Sequence, residues 1–113
     1  MPLESLGLVT VATGGIPVRL SQNETDPTVR LAGHSLSVQA WHANTGKIYI
    51  GDSADMNTAT GDGVLAVLAI PTANVLPQFN STIVQAAAGV QVHSLWLDAE
   101  VDGESALVTV LRA

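Results

Sequence analysis

Asn44-Thr45-Gly46-Lys47-Ile48-Tyr49-Ile50-Gly51-Asp52, followed across a polar stretch by Gly61-Asp62-Gly63-Val64-Leu65-Ala66-Val67-Leu68, is the part of this chain whose reading decides the fold. Lys47 to Ile50 is β-branched and aromatic, with Gly46 and Gly51 punctuating its ends, and Val64 to Ile70 reads as the next strand. The two are expected to pair antiparallel in the middle of a sheet. Between them, Asp52-Ser53-Ala54-Asp55-Met56-Asn57-Thr58-Ala59-Thr60 is too polar for a core element and too short and aperiodic for a good helix. It reads as a loop held at both ends by glycine.

Working outward, Leu6 to Ala12 is a strand candidate closed by Thr13-Gly14-Gly15, and Pro17 places Ile16 to Leu20 at a sheet edge or strand start. Thr28 to Ala32 reads as a short strand. Leu36, Val38 and Ala40 alternate with Ser37 and Gln39, the period of a strand with one wet face, and Asn44-Thr45-Gly46 should turn it directly into Lys47 to Ile50 as a hairpin. Pro71 to Ser81 is irregular, Thr82 to Gln85 favours strand, and Val90 to Asp98 reads as one central strand. Asp102-Gly103 is the strongest hairpin signal and is expected to join Leu95 to Val101 with Ala106 to Leu111. The expectation is all-β, an antiparallel β-sandwich or partly open β-barrel of about seven or eight short strands. Residues 1–113 are expected to form a single domain, in which residues 1–15 could extend as an N-terminal arm.

Composition narrows the function. At 113 residues the chain can bury roughly two-thirds of its unfolded surface without staples. It has no cysteine, which removes disulfides, thiolate metal sites and cysteine nucleophiles. Only 12% of residues are charged, the net charge is -6 and 47% are hydrophobic, so small apolar and hydroxyl side chains must cover much of the exterior. Such a surface suits contact with other protein. Arg19, Arg30, Lys47 and Arg112 are too scattered to neutralise a run of phosphates, which argues against nucleic acid. No apolar run is long enough to span a bilayer, and Met1 to Ser5 lacks the features of a signal peptide, so no membrane partner is expected. Asn23-Glu24-Thr25 and Asn80-Ser81-Thr82 match the glycosylation pattern and are read as accidental.

Candidate chemistry is sparse. His34, His42 and His93 never occur at ligand spacing, and no nucleophile–base set can be assembled around them, so no catalytic residue is assigned. Asp98, Glu100, Asp102 and Gly103 imitate the start of a calcium loop, but position twelve would be Thr109, and strand alternation with an Asp-Gly turn explains the pattern without a metal. Asp52, Asp55 and Asp62 could gather a cation, although acidic residues in a solvated loop need none. No cofactor or metal is expected. The loop is instead a candidate interaction element, carrying three carboxylates without a compensating base toward a basic patch. Leu3, Leu6, Leu8 and Val9 are the candidate contact residues of the arm, since a terminal segment can add a strand to a neighbour's edge.

The run Asn44 to Gly51, then Thr60-Gly61-Asp62-Gly63-Val64-Leu65-Ala66-Val67-Leu68, then Gly89-Val90-Gln91-Val92 and Val108-Thr109-Val110-Leu111, resembles small β-sandwich structural proteins of tailed bacteriophages. The likeness covers residues 36 to 111 and consists of strand and turn residues, so it transfers no site; residues 1 to 32 fall outside it. It implies a virion protein located on the capsid surface, a capsid decoration (cement) protein without enzymatic activity. Its partners would be the major capsid protein and neighbouring copies of itself, as a homo-oligomer on the virion. The alternatives are a head–tail connector or tail-associated ring component, and a carbohydrate-binding attachment module. Scarcity of aromatics, with Trp41, Tyr49, Phe79 and Trp96 alone available, weighs against the last.

Overall fold

The computed structural model describes residues 3–21, 32–70, 81–91 and 94–112. Eight strands run β1 (Leu3–Val11), β2 (Val18–Arg19), β3 (Ala32–Ala40), β4 (Ile48–Gly51), β5 (Val64–Leu68), β6 (Ser81–Gln91), β7 (Trp96–Ala99) and β8 (Glu104–Arg112). They form two antiparallel four-stranded sheets, ordered β1-β8-β3-β6 and β2-β7-β4-β5. The β-sandwich expectation holds. Strands pair first with last in nested fashion, β1 with β8, β2 with β7, β3 with β6 and β4 with β5. The chain is therefore one long hairpin wrapped into two sheets, the order of a jelly roll, and the β4–β5 loop is its tip.

Alternation along each strand builds the core. Val9, Val11, Leu36, Val38, Ala40, Ala106, Val108 and Val110 from the first sheet meet Ile48, Ile50, Leu68, Leu97 and Ala99 from the second, with Leu20 just after β2 and Leu95 just before β7. No aromatic ring belongs to this cluster among the described residues, so small branched side chains fill the gap between sheets. Each fully buried aliphatic contributes about 1.5–3 kcal/mol relative to exposure.

Several expected pairings give way to the wrap. The segments Leu36 to Ala40 and Lys47 to Ile50 are not a hairpin: β3 belongs to the first sheet and β4 to the second. The intervening loop turns the corner because the Trp41 amide donates to Ser105 O (3.1 Å) and the Asn44 side chain grips the Ser105 backbone. Asp102-Gly103 is likewise a corner between β7 and β8. Gly103 takes φ 79, as the turn signal requires, yet its N–H donates to Val11 O (2.8 Å), which closes the turn onto β1. Val90 to Asp98 is not one strand, since β6 ends at Gln91 in the first sheet and β7 starts at Trp96 in the second. Thr82 to Gln85 extends into the longer β6. Residues 28–31 and 71–80 of the other two readings lie outside the described residues. Of the central pair, β4 is interior but β5 is an edge.

The N-terminal arm is also corrected for the residues described. Leu3 to Val11 pairs along β8, and Val9 and Val11 are fully buried, because alternation puts them on the core face. Removal of this segment would strip a strand from the sheet.

Gly51 is fixed by close approach: a Cβ there would lie 2.5 Å from Gly63 O and 2.6 Å from Met56 Sδ. Gly51→Ala is expected to lower stability by about 1–3 kcal/mol, read from the urea midpoint, as overpacking forces the loop off β4. An unchanged midpoint would show that the loop yields freely.

Candidate interaction site

Register places the loops at two ends of the sandwich. Val11 pairs with Glu104, Ala40 with Ala106 and Ile48 with Ala99, so the β1–β2, β3–β4 and β7–β8 loops gather at one end. Gly51 pairs with Val64 and Trp96, which puts the β4–β5 loop at the other.

At the first end, the acidic residues of β7, the turn and β8 hold the neighbouring loops by their amides. Asp98, only 2% exposed, accepts from Gly15 N (2.9 Å) and from Ala99 N (2.8 Å). Asp102 accepts from Gly14 N (2.7 Å), and Glu100 from Lys47 N (2.9 Å). Buried Glu104 uses both oxygens, Oε1 for Gly46 N (2.7 Å) and Oε2 for Thr45 N and Thr45 Oγ1. These are charge-assisted bonds, shorter and stronger than neutral ones. The partial calcium-loop pattern is thus a set of loop clamps. Its legible signal was acidic residues at alternate positions, 98 through 104, matched by two glycine loops. Sequence reading found the alternation and missed both Glu104 and the acceptor role.

At the other end, the β4–β5 loop folds on itself. Asp52 N donates to Gly63 O (3.0 Å), Asn57 N to Asp62 O (2.8 Å) and Gly61 N to Asn57 O (2.8 Å). Asn57 Oδ1 accepts from Ala59 N (2.9 Å) and Thr60 N (3.1 Å), and Ser53 Oγ accepts from Asp55 N (3.0 Å). Met56 is the anchor, 8% exposed in a loop otherwise exposed or half-buried, and sequence reading missed it because a lone methionine among polar residues has no periodicity. Side-chain capping is done by Ser53, Asn57 and Thr60. The carboxylates of Asp52, Asp55 and Asp62 accept none of these bonds and face solvent. All three are exposed on one loop braced by its own hydrogen bonds.

The arm candidates divide. Leu3 and Leu6 lie in β1, Leu8 is 36% exposed on its outer face, and Val9 belongs to the core. His42 is exposed and tilted against Trp41, with ring centroids 4.4 Å apart. Among the described residues, no group of three or more His, Asp and Glu side chains could hold a metal.

The outer face of the second sheet carries the remaining large groups. Leu65 (55% exposed) and Val67 (51%) project from β5, Tyr49 stands opposite Val67, and Trp96 lies two positions along β7 from Asp98, the other neighbour of Tyr49. The Arg19 guanidinium sits 4.5 Å from the Trp96 ring centroid, a cation–π contact. Burial, then the charge of Glu100, then that of Asp98 push the Tyr49 phenol above its ordinary 10.0. No protein-family model, characterised protein or solved structure matches this chain.

Two outcomes follow from this geometry. Glu104→Gln turns an NH2 against a backbone donor and should cost about 1–3 kcal/mol by urea unfolding, whereas Glu100→Gln, at an exposed carboxylate, should cost under about 1 kcal/mol. Equal losses would contradict the clamp. Tyr49 is the only tyrosine, so absorbance at alkaline pH reports it alone. Its midpoint should lie above 10.0 and move down in Glu100→Gln. Because the folded state holds this proton more tightly, the stabilisation is complete below the unfolded pKa and is lost as pH rises through the folded one.

Proposed function

We propose that the protein is a structural component of a tailed-bacteriophage virion: a non-enzymatic capsid decoration protein that binds the outside of the assembled head and strengthens it. One observation carries the reading, namely how the polar and apolar groups are divided. Asp98, Glu100, Asp102 and Glu104 are engaged as acceptors of loop amides, while the groups turned outward include the loop aspartates, the Leu65–Val67 stripe and Ile16. Those are means of contact with protein. Jelly rolls serve in viral capsids and also in lectins and cupins, so the fold supports the reading by analogy alone. Many copies on a lattice gain avidity without any one strong contact. The major capsid protein and neighbouring copies are the partners in this reading, and Asp52, Asp55 and Asp62 would meet a basic patch, guiding orientation more than affinity.

One feature speaks for the carbohydrate-binding alternative: Tyr49 and Trp96 share an outer face. Arg19 already covers one side of the Trp96 ring, which leaves less of it for stacking on a sugar.

The test is co-sedimentation of the purified protein with expanded empty capsids of a tailed phage whose genome carries this chain. Binding that saturates at a fixed ratio to the capsid subunit is expected. The variant with Asp52, Asp55 and Asp62 all changed to Asn should keep its stability within about 0.5 kcal/mol at each exposed site and bind less well at low salt. Folded protein that leaves capsids bare would overturn decoration; occupancy confined to one vertex or the tail would favour the connector or ring. Capture instead by host polysaccharide would favour the attachment module. A triple variant with unchanged affinity across a salt series would remove the loop from the contact.

A further inference from the structure

The β4–β5 ribbon carries no charged residue on its outer surface; Lys47 stands at one end, where the Glu100 carboxylate is turned onto the Lys47 amide (2.9 Å), and Asp52 and Asp62 stand at the other. No charged residue interrupts Ile48–Gly51 or Val64–Leu68, and Leu65, Val67 and half-buried Tyr49 face outward. Lys47, the only lysine, stands exposed just before β4, and its ammonium has no ion-pair partner among the described residues. Asp52 and Asp62 are exposed at the far end, equally without one. Ile48 pairs with Leu68 and Gly51 with Val64, so the length of β4 separates the lysine from the two aspartates.

We propose that a second copy of this chain docks on this face, related by a two-fold axis that lies in the contact plane and crosses β4 and β5 at right angles beside Tyr49 and Val67. That operation reverses strand direction. It lays Tyr49 and Val67 near their own counterparts and carries each Lys47 to the partner's Asp52 and Asp62. The midpoint of the ribbon between Lys47 and Asp52 falls at Tyr49 and Ile50, and Tyr49 pairs with Val67, so one axis satisfies both strands. A two-fold axis parallel to the strands would instead oppose lysine to lysine and aspartate to aspartate. Like charges in register destabilise, and unlike charges select the orientation. The contact is isologous, each copy using the same patch.

Contact is made by the face, not by extending the sheet at its β5 edge. The register slips between Ile50 and Gly51, where β5 carries one extra residue, and such a bulge bends an edge away from ladder pairing. Face-to-face sheets stack about 10 Å apart, a gap that the outward Leu65, Val67 and Tyr49 side chains can fill. The dimer shares Asp52 and Asp62 with the proposed capsid contact, and it is measured without capsids, so its failure and that of the decoration reading are distinguishable.

The experiment is sedimentation equilibrium of the purified chain at roughly 100 μM, where a contact of micromolar Kd is largely formed. The expected mass is twice the 11.6 kDa of one chain. Val67→Glu and Leu65→Gln should each return it to the single-chain mass. Both sites are more than half exposed, and circular dichroism melting verifies that the variants fold. Lys47→Glu should weaken the dimer by about tenfold or more, and adding Asp52→Lys and Asp62→Lys to it should restore association. A wild-type chain that stays monomeric at this concentration overturns the proposal, as does a dimer indifferent to Val67→Glu. A dimer sensitive to Val67→Glu but unaffected by Lys47→Glu overturns the two-fold arrangement.

Discussion

The fold depends on amides held by carboxylates at one end of the sandwich, where β1 passes to β2, β3 to β4 and β7 to β8 between the sheets. A wrapped hairpin must cross between layers repeatedly, and each crossing exposes backbone N–H groups that no ladder can satisfy. Asp98, Glu100, Asp102 and Glu104 take up those of Gly14, Gly15, Thr45, Gly46 and Lys47. Asn44 does the same for Ser105 by presenting its own amide as if it were a strand. Four negative charges so close together would repel one another in open solution. Here each is offset locally by N–H dipoles, and the two most buried, Asp98 and Glu104, accept the most bonds.

This division of labour gives the two ends of the sandwich different characters. One end is tied by long-range side-chain bonds between loops. At the other, the β4–β5 loop is tied within itself, by Met56 against Gly51 and by local caps, so its aspartates remain outward on a firm support. A contact surface built on such a support loses little conformational entropy when it engages a partner, which is what a weak, repeated contact requires.

Much of the fold was legible because strand alternation and glycine turns are local signals. Leu36-Ser37-Val38-Gln39-Ala40 gave its face correctly, and Ile48 to Ile50 with Val64 to Leu68 gave the one pairing between consecutive strands. What was not legible is which sheet a strand joins. The loops after Ala40 and at Asp102-Gly103 carry hairpin residues, but a hairpin and a corner between sheets use the same turn chemistry; partners distant in sequence, Ser105 and Val11, decide between them. The same distance hid the clamps. The loop aspartates were readable as exposed because nothing nearby could neutralise them, whereas the Leu65–Val67 face became visible only once β5 was known to be an edge.

The nested order of pairing has a consequence for how the chain reaches this state. Only β4 and β5 are neighbours both in sequence and in the sheet, so theirs is the pairing with the smallest loop-closure entropy. Each layer outward, β3 with β6, β2 with β7, then β1 with β8, closes a longer span, and the last joins Leu3 to Leu111 across nearly the whole chain. Entropy thus ranks the pairs from the tip inward to the termini, and it puts this protein among high-contact-order domains that fold in milliseconds to seconds. Until the outermost pair forms, β8 lacks its β1 neighbour and the core lacks the cover of Val9 and Val11. The newly made chain is therefore most open to wrong association during that interval.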